Sequence, residues 1–258
     1  MNSTMTKLVV PAQGLLRVVA IGFGCAALLM LASPAQATSF TNGSFETNTG
    51  SGQLGIGGGT TAAGWSVPSG GYVFLFAPGT ADTTGSYTPE FNANLSLWGP
   101  NNGSNNGLPA TSPDGGYFIG MDSDFQSRPL QQTITGLTVG QTYQVGFWWA
   151  AAQQFGFDGG TQENWTVSLG SESDTTATIN LPSHGFNNWQ YQTYDFTADS
   201  TTDVLSFIAG GSPGGPPPFS LLDGVSFSPV PEPGTLPLLF TGLMGGLAVL
   251  RSKKWRKS

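Results

Sequence analysis

The chain has 258 residues, of which only 9% are charged, and it contains 38 glycines and 18 prolines. Between residues 38 and 230, Arg128 is the one basic residue against fourteen acidic ones, so this stretch carries a formal charge of −13. That balance argues against a nucleic-acid binder, which needs a basic face. Aromatic residues make up 12% of the chain, which argues against a charged disordered tail.

Residues 1–37 have the three parts of a secretory signal peptide. Lys7 and Arg17 supply a positive start, residues 18–32 form an apolar run, and residues 35–37 read Ala-Gln-Ala, a small-x-small cleavage site. We therefore expect the protein to be exported and cleaved after this site.

Residues 38–229 predict a single all-β domain, an antiparallel β-sandwich of the jelly-roll type. Short runs of β-branched, aromatic and aliphatic residues alternate with breaks rich in glycine, asparagine, proline and serine. The glycine-rich segment 50–64 is predicted to be a loop. The predicted strands are 38–47, 71–76, 92–98, 116–122, 129–135, 142–152, 164–170, 177–181, 189–196, 203–209 and 219–228.

One acidic residue, Asp223, occupies a predicted core position. Hydrophobic residues alternate with it along the last predicted strand, namely Phe219, Leu221, Val225 and Phe227. A buried carboxylate needs a partner or becomes neutral. Three explanations are open: an ion pair with Arg128, a bound Ca²⁺ with ~6–8 oxygen ligands, or a protonated or hydrogen-bonded side chain.

The end of the chain, residues 230–258, has the sequence pattern of a membrane-spanning segment with a basic tail. Val230, Pro231, Glu232 and Pro233 precede an apolar run at 234–250, which is just long enough to cross a thin bilayer. A basic tail at 251–258 follows and is expected to stay cytoplasmic. These features alone predict an exported domain held by a C-terminal transmembrane span.

The three-part C-terminal pattern resembles the PEP-CTERM sorting signal of Gram-negative bacteria. The resemblance implies that an exosortase recognises residues 230–233 and removes the apolar tail, which would enter the inner membrane only transiently. It also implies delivery to the cell surface or extracellular matrix, in association with exopolysaccharide and hence with biofilm. A plain single-span anchor is the alternative.

The middle domain is similar to galactose-binding-like jelly rolls, which include many carbohydrate-binding modules. In that family the first-strand Glu and the last-strand Asp commonly help to hold a structural Ca²⁺, which implies this role for Glu46 and Asp223. The family usually has Asp or Asn after the closing Asp, where this chain has Gly224. The matching segments are 42–46 (Asn-Gly-Ser-Phe-Glu), Gly64-Trp65, Asp114-Gly115, Gln131/Gln132, 137–143 and 222–227.

Carbohydrate recognition needs aromatic platforms and planar polar side chains. Trp98, Trp148, Gln153 and Trp189 are the candidates, and Trp148 is expected to point away from the core because its neighbours on either side point inward. The preferred prediction is thus a non-catalytic surface or matrix protein that contacts exopolysaccharide. A structural or adhesion protein without a sugar site is the alternative.

A secreted hydrolase is the third possibility, and the sequence offers little to support it. Asp122 and Asp124 form a D-x-D pair that could bind a cation, and Asp158 and Glu163 could act as paired carboxylates. His184 is the only histidine, so a catalytic triad would depend on it and a multi-histidine zinc site is excluded. No phosphate-binding or dinucleotide fingerprint is present.

Overall fold

The computed structural model of the chain describes residues 38–55, 57–68, 70–212 and 215–231. In this part no α-helix occurs, and no helix is long and apolar enough to cross a membrane. The predicted signal peptide, the apolar run 234–250 and the basic tail 251–258 lie outside the described residues. The strands are β1 (Gly52–Leu54), β2 (Val73–Phe76), β3 (Ser86–Thr88), β4 (Ala93–Leu95), β5 (Phe118–Asp122), β6 (Leu130–Thr135), β7 (Thr142–Gln153), β8 (Thr161–Leu169), β9 (Glu172–Thr175), β10 (Ile179–Leu181), β11 (Asn187–Thr197), β12 (Thr202–Ser212) and β13 (Pro218–Pro229).

Two antiparallel sheets form the predicted β-sandwich, which is confirmed. One has the order β1-β2-β5-β13-β7-β11, and the other has the order β10-β8-β12-β6 with β9 added beside β8. The inward positions predicted from alternation along β7 and β8 are buried. Phe207 of the second sheet packs edge-on against Phe147 of the first, with 5.3 Å between ring centroids, so the two sheets share one core.

A second hydrophobic cluster covers the other face of the six-stranded sheet. Phe74 and Phe76 of β2, Phe118 of β5 and Phe219 of β13 belong to it, and so does Leu97 of the segment between β2 and β5. That segment also carries the small two-stranded ribbon of β3 and β4. Because both faces of the sheet are covered here, all four residues of β2 are buried and hydrophobic instead of alternating.

A β-bulge in β13 corrects the predicted orientation of Asp223. The pairing of β13 with β7 shifts between Asp223 and Ser226, where Gly224 has a φ of +54°. Phe219 and Leu221 pack in the second cluster, whereas Val225 and Phe227 pack in the main core. The alternation is therefore broken after Asp223, although Asp223 is fully buried as predicted.

Strand prediction fails mainly near the N-terminus. Residues 38–47 form turns instead of a strand, with positive φ at Asn42 and Phe45. The segment 50–64, predicted as a loop, contains β1, and the short strands β3 and β9 were missed. The other ten predicted strands each overlap an observed one.

Candidate functional site

The buried Asp223 pocket is formed by the carboxylates of Asp114 and Glu46 and by the loop that carries Ser112. Its Oδ2 accepts a hydrogen bond from the hydroxyl of Ser112, and the Ser112 oxygen in turn accepts the backbone N–H of Asp114 at 3.0 Å. Oδ1 of Asp223 is buried and has no hydrogen-bond partner in the described part of the chain. The backbone N–H of Gly224 lies near the carboxyl group but does not reach hydrogen-bond geometry, so Oδ1 lacks a full partner.

The charge around Asp223 is entirely negative. Burial raises its pKa to about 8, although the Ser112 hydroxyl and the backbone N–H of Gly224 lower it. The charges of Asp114 and Glu46 raise the pKa further. Asp223 is therefore largely protonated at neutral pH when no cation is nearby. Arg128 does not pair with it: within the described ranges the one ion pair joins His184 and Asp158.

Glu46 and Asp223, the two calcium ligands implied by the resemblance, lie close enough for the charge of Glu46 to raise the pKa of Asp223. Oε1 of Glu46 accepts the backbone N–H of Tyr117 at 2.6 Å, close above Gly116, where a Cβ atom would lie 1.8 Å from that oxygen. A larger residue would displace the Glu46 carboxylate, and the φ of +64° at Gly116 also favours glycine. No three His, Cys, Asp or Glu side chains of the described segments form a metal site by themselves. The orphaned Asp223 oxygen and the hard oxygen donors fit Ca²⁺ if backbone carbonyls or water complete the coordination.

The four predicted carbohydrate residues do not form one surface. Trp148 is half-buried and packs against Tyr191, with 5.1 Å between ring centroids, beside the Asp223 pocket. Trp189 packs into the second cluster with its edge against Phe118. The exposed part of the Trp148–Tyr191 pair can still meet a ligand, but Trp189 serves mainly as core.

Gln153 is wrong as a sugar contact because it is fully buried. Its amide nitrogen donates to the Thr161 hydroxyl at 2.7 Å, and its oxygen accepts the backbone N–H of Gly185 at 3.2 Å. Trp98 lies nearby and stacks on His184 at 3.7 Å between ring centroids, which occupies one face of its indole. Gln153 therefore holds loops together, and Trp98 offers less open surface than predicted.

The structure contains an open cavity of ≈ 550 Å³ that the sequence did not reveal. It lies between the ribbon β3–β4, the turn after β5 and the loop after β7. Polar groups share its walls with aromatic rings. Its lining includes Tyr72, Thr88, Phe91, Asn94, Asp122, Asp124, Phe125, Gln154 and Phe157. We call it the aromatic cleft.

Three phenylalanines of the aromatic cleft are unusually exposed for their size. Phe91, Phe125 and Phe157 have 59%, 44% and 43% of their surface accessible. Each lies in a polar turn context, in Pro-Glu-Phe-Asn, Ser-Asp-Phe-Gln and Phe-Gly-Phe-Asp respectively, and this is the signal that could have identified them. Clustered apolar exposure of this kind marks a binding surface more often than scattered single residues do.

Asp122 forms the floor of the aromatic cleft and is 1% exposed. Its Oδ1 accepts the backbone N–H groups of Asp124 and Phe125 at 2.9 and 2.8 Å, so Oδ2 is the oxygen left for a ligand. Burial raises the pKa of Asp122 to about 6, while those two hydrogen bonds lower it. Both members of the predicted D-x-D pair thus line the cleft, and the Asp122 side chain accepts a hydrogen bond from the backbone of Asp124.

The other acid–base candidates do not converge on a catalytic arrangement. Glu163 is buried in the sandwich core and has no hydrogen-bond partner among the described residues. Asp158 instead contacts the ring of His184, with Nε2 and Oδ1 2.5 Å apart. His184 has a φ of +61°, and its carbonyl accepts hydrogen bonds from Ser104 and Asn106, so the pair fastens loops together.

The comparison with known families identifies the end of the chain. Residues 229–254 match the PEP-CTERM protein-sorting motif. The motif implies export, anchoring in the membrane and processing by an exosortase on the way to the surface. The sandwich leads directly into it, because the backbone N–H of Val230 donates to Thr142 at 2.9 Å and its carbonyl accepts from Gln141. Pro231 is exposed, and Glu232 and Pro233 lie outside the described residues.

The solved structures that the comparison matches to this chain include carbohydrate-binding domains. A family 4 carbohydrate-binding module is 21% identical, with 53% of this chain and 86% of that one covered and a TM-score of 0.29. A xylan-binding domain from Paenibacillus barcinonensis is 8% identical, with 63% and 97% covered and a TM-score of 0.31. The cleaved adhesin domain of Lys-gingipain from Porphyromonas gingivalis is 14% identical, with 69% and 98% covered and a TM-score of 0.35.

Because these TM-scores are below 0.5, the matches do not identify a ligand for this chain. Its β-sandwich architecture is established by the pairing of its own strands. No curated protein matches the sequence.

Proposed function

We propose that this protein is a non-catalytic component of the cell surface or extracellular matrix of a Gram-negative bacterium and that it contacts exopolysaccharide through the aromatic cleft. An exosortase would release it from the inner membrane. The exposed phenylalanines around a cavity with polar walls are the observation that carries the proposal. Sugar rings present apolar faces and polar edges, so a site for them needs both kinds of group.

A structural or adhesion role without a sugar site is the alternative, and the cleft argues against it. A purely structural sandwich has no reason to keep three large phenylalanines open to solvent around one cavity. A hydrolase is disfavoured because Asp122 and Asp124 are joined by a single turn, with one carboxylate hydrogen-bonded to the backbone of the other. That arrangement gives no pair of carboxylates facing each other across a bond to be cleaved.

We also propose that Ca²⁺ is a structural ion at Asp223 and Glu46. The support is the buried, unpartnered Oδ1 of Asp223, together with the negative charges of Asp114 and Glu46 that no cation in the described residues balances. The ion would fasten the segments that carry Glu46 and Asp114 to the bulge of β13. It would lie outside the aromatic cleft, whose lining includes none of these residues.

Replacing both Phe91 and Phe125 with alanine should weaken retention by exopolysaccharide about tenfold or more, because losing two aromatic contacts costs at least ~1.4 kcal/mol. Both side chains are largely exposed, so the fold should persist. Affinity electrophoresis through gels that contain neutral, anionic or amino polysaccharides measures the effect.

Two control variants make this test decisive. Val139→Ala removes an equally exposed apolar side chain, 59% accessible, that does not line the cleft, and should change nothing. Trp148→Ala removes the rival aromatic platform. Failure of every polysaccharide class to bind the wild type would contradict the proposed function, and loss of binding only in Trp148→Ala would move the site to that platform.

Processing at the sorting motif predicts the C-terminus of the mature protein. Mass spectrometry of the protein recovered from extracellular material should find no peptide from residues 251–258, since removal of the apolar run also removes the basic tail. Substituting Pro231 and Glu232 should leave the tail attached and the protein in the membrane fraction. Tail peptides on the extracellular wild-type protein would refute removal of the tail.

A further inference from the structure

We infer that the aromatic cleft is selective for a polysaccharide with free, positively charged amino groups. This inference deepens the proposed function and rests on it. The cleft combines exposed aromatic rings with a fixed carboxylate, and that combination can recognise an ammonium group.

The aromatic rings of the cleft are arranged at right angles. Phe91 and Phe125 each stand nearly perpendicular to Tyr72, at 81° and 87°, with ring centroids 6.1 and 5.3 Å from that of Tyr72. Phe157 lines the same cavity. In such edge-to-face pairs the positive edge of one ring meets the negative face of the other. Phe91 and Phe125 are 59% and 44% exposed, so part of each ring remains accessible to an ammonium group.

The acidic residues Asp122 and Asp124 add negative charge to the wall of the cleft. Asp122 is held by two backbone N–H groups to one oxygen, which leaves the other oxygen for a ligand and fixes its position. Asp124 lines the cavity as well. Glu90 does not line the cavity, but its charge acts on Tyr72, and its carboxylate accepts a hydrogen bond from the side chain of Gln126 at 3.3 Å. A buried carboxylate bound to an ammonium group forms a charge-assisted hydrogen bond, which is stronger than a neutral one.

No basic residue offsets these charges among the described residues that line the cleft. Arg128 is the one cation of the domain, and its Cβ packs beside Gly71, next to Tyr72, without lining the cavity. Polysaccharides rich in uronic acid, sulfate or phosphate would therefore be repelled from the site. A neutral polysaccharide would meet the aromatic rings but would leave the carboxylates without a charged partner.

A matched set of oligosaccharides tests the inference. Oligomers of glucose, N-acetylglucosamine and glucosamine with the same linkage share one backbone and differ only in the substituent at one ring carbon. Isothermal titration of the exported domain in chelator, at low salt and at mildly acidic pH, where the glucosamine amino groups carry more of their charge, should give at least about tenfold tighter binding for the glucosamine oligomer. Added salt should weaken that binding most.

Charge variants identify the groups responsible. Asp122→Asn keeps an oxygen that can accept the two backbone hydrogen bonds and should reduce the preference for the amino form about tenfold, as Asp124→Asn should in part. Asp174→Asn, which removes the same charge from the exposed strand β9, should not change it. Equal binding of the glucose and glucosamine oligomers, or a preference for an anionic polysaccharide, would overturn the inference and leave the proposed function intact. Binding of no polysaccharide at all would instead contradict the proposed function.

Discussion

Between about pH 4 and 9, the stability difference between the wild type and Glu163→Gln should change by up to about 5 kcal/mol in favour of the variant. Glu163 lies in the sandwich core with no accessible surface. Burial raises its pKa from the usual 4.5 to about 8, and the neighbouring Thr161 hydroxyl counteracts this only in part. Among the described residues, neither of its oxygens has a hydrogen-bond partner.

The sign of this effect follows from the direction of the shift. Because the pKa is higher in the folded protein, the folded state holds the proton more tightly. The stabilisation is complete below about pH 4.5 and is lost as the pH rises to about 8. Glutamine does not titrate, so the free energy of unfolding of the variant does not fall with pH through this residue.

Urea unfolding at several pH values measures both curves. The matched control Glu172→Gln removes the charge of an exposed glutamate on β9 and should track the wild type. All samples should contain chelator, so that no metal contributes. Parallel curves for the wild type and Glu163→Gln would contradict the assignment, because they would show that Glu163 does not change its protonation on unfolding.

Calcium should stabilise the domain more at high pH than at low pH, through Asp223. The ion binds the carboxylate and competes with the proton that Asp223 holds below about pH 8. A Ca²⁺ concentration of about 100 times the dissociation constant adds ~2.7 kcal/mol, which corresponds to roughly 5–10 °C in Tm for a domain of this size. Asp223→Asn should abolish most of the calcium-dependent rise.

Differential scanning calorimetry with Ca²⁺ or chelator, at acidic and at alkaline pH, tests this prediction. Asp174→Asn is the matched control, since it removes one exposed carboxylate on β9 and should respond to calcium as the wild type does. An identical Tm with Ca²⁺ and with chelator at alkaline pH would sink the calcium proposal. Asp223 would then be a protonated side chain hydrogen-bonded to Ser112, with no metal role.

The parts of the fold that depend on local periodicity could be predicted from the sequence. Strand β8 alternates between buried and less buried residues along its whole length, and in β7 the predicted inward residues 143, 145, 147 and 149 are buried. The end of β7, residues 150–153, is buried on both faces, which alternation does not predict. The bulge at Gly224 could not be read in the same way, because one extra residue changes which later residues face the main core. Segment 38–47 has the composition of a strand, but tertiary hydrogen bonds hold it in turns, including one from the Trp65 indole to the carbonyl of Asn42.

The functional surfaces were harder to predict because distant segments form them. The aromatic cleft takes Tyr72, Phe91, Phe125 and Phe157 from four separate parts of the chain, and no spacing in the sequence brings them together. Tryptophan was favoured as a sugar platform, yet Trp189 is mainly core and Trp98 is partly covered by His184. The burial of Asp223 was predicted from alternation along the last strand, whereas its partner was left open between Arg128, Ca²⁺ and a protonated or hydrogen-bonded side chain.

The location of the polysaccharide on the exported domain is the most direct test of the account. Chemical-shift mapping of the isotopically labelled domain during titration with exopolysaccharide reports every contacted segment at once. The account predicts that the largest changes cluster at Phe91, Asn94, Phe125, Gln154 and Phe157. Changes centred instead on Trp148 and Tyr191, or no changes at saturating polysaccharide, would contradict it.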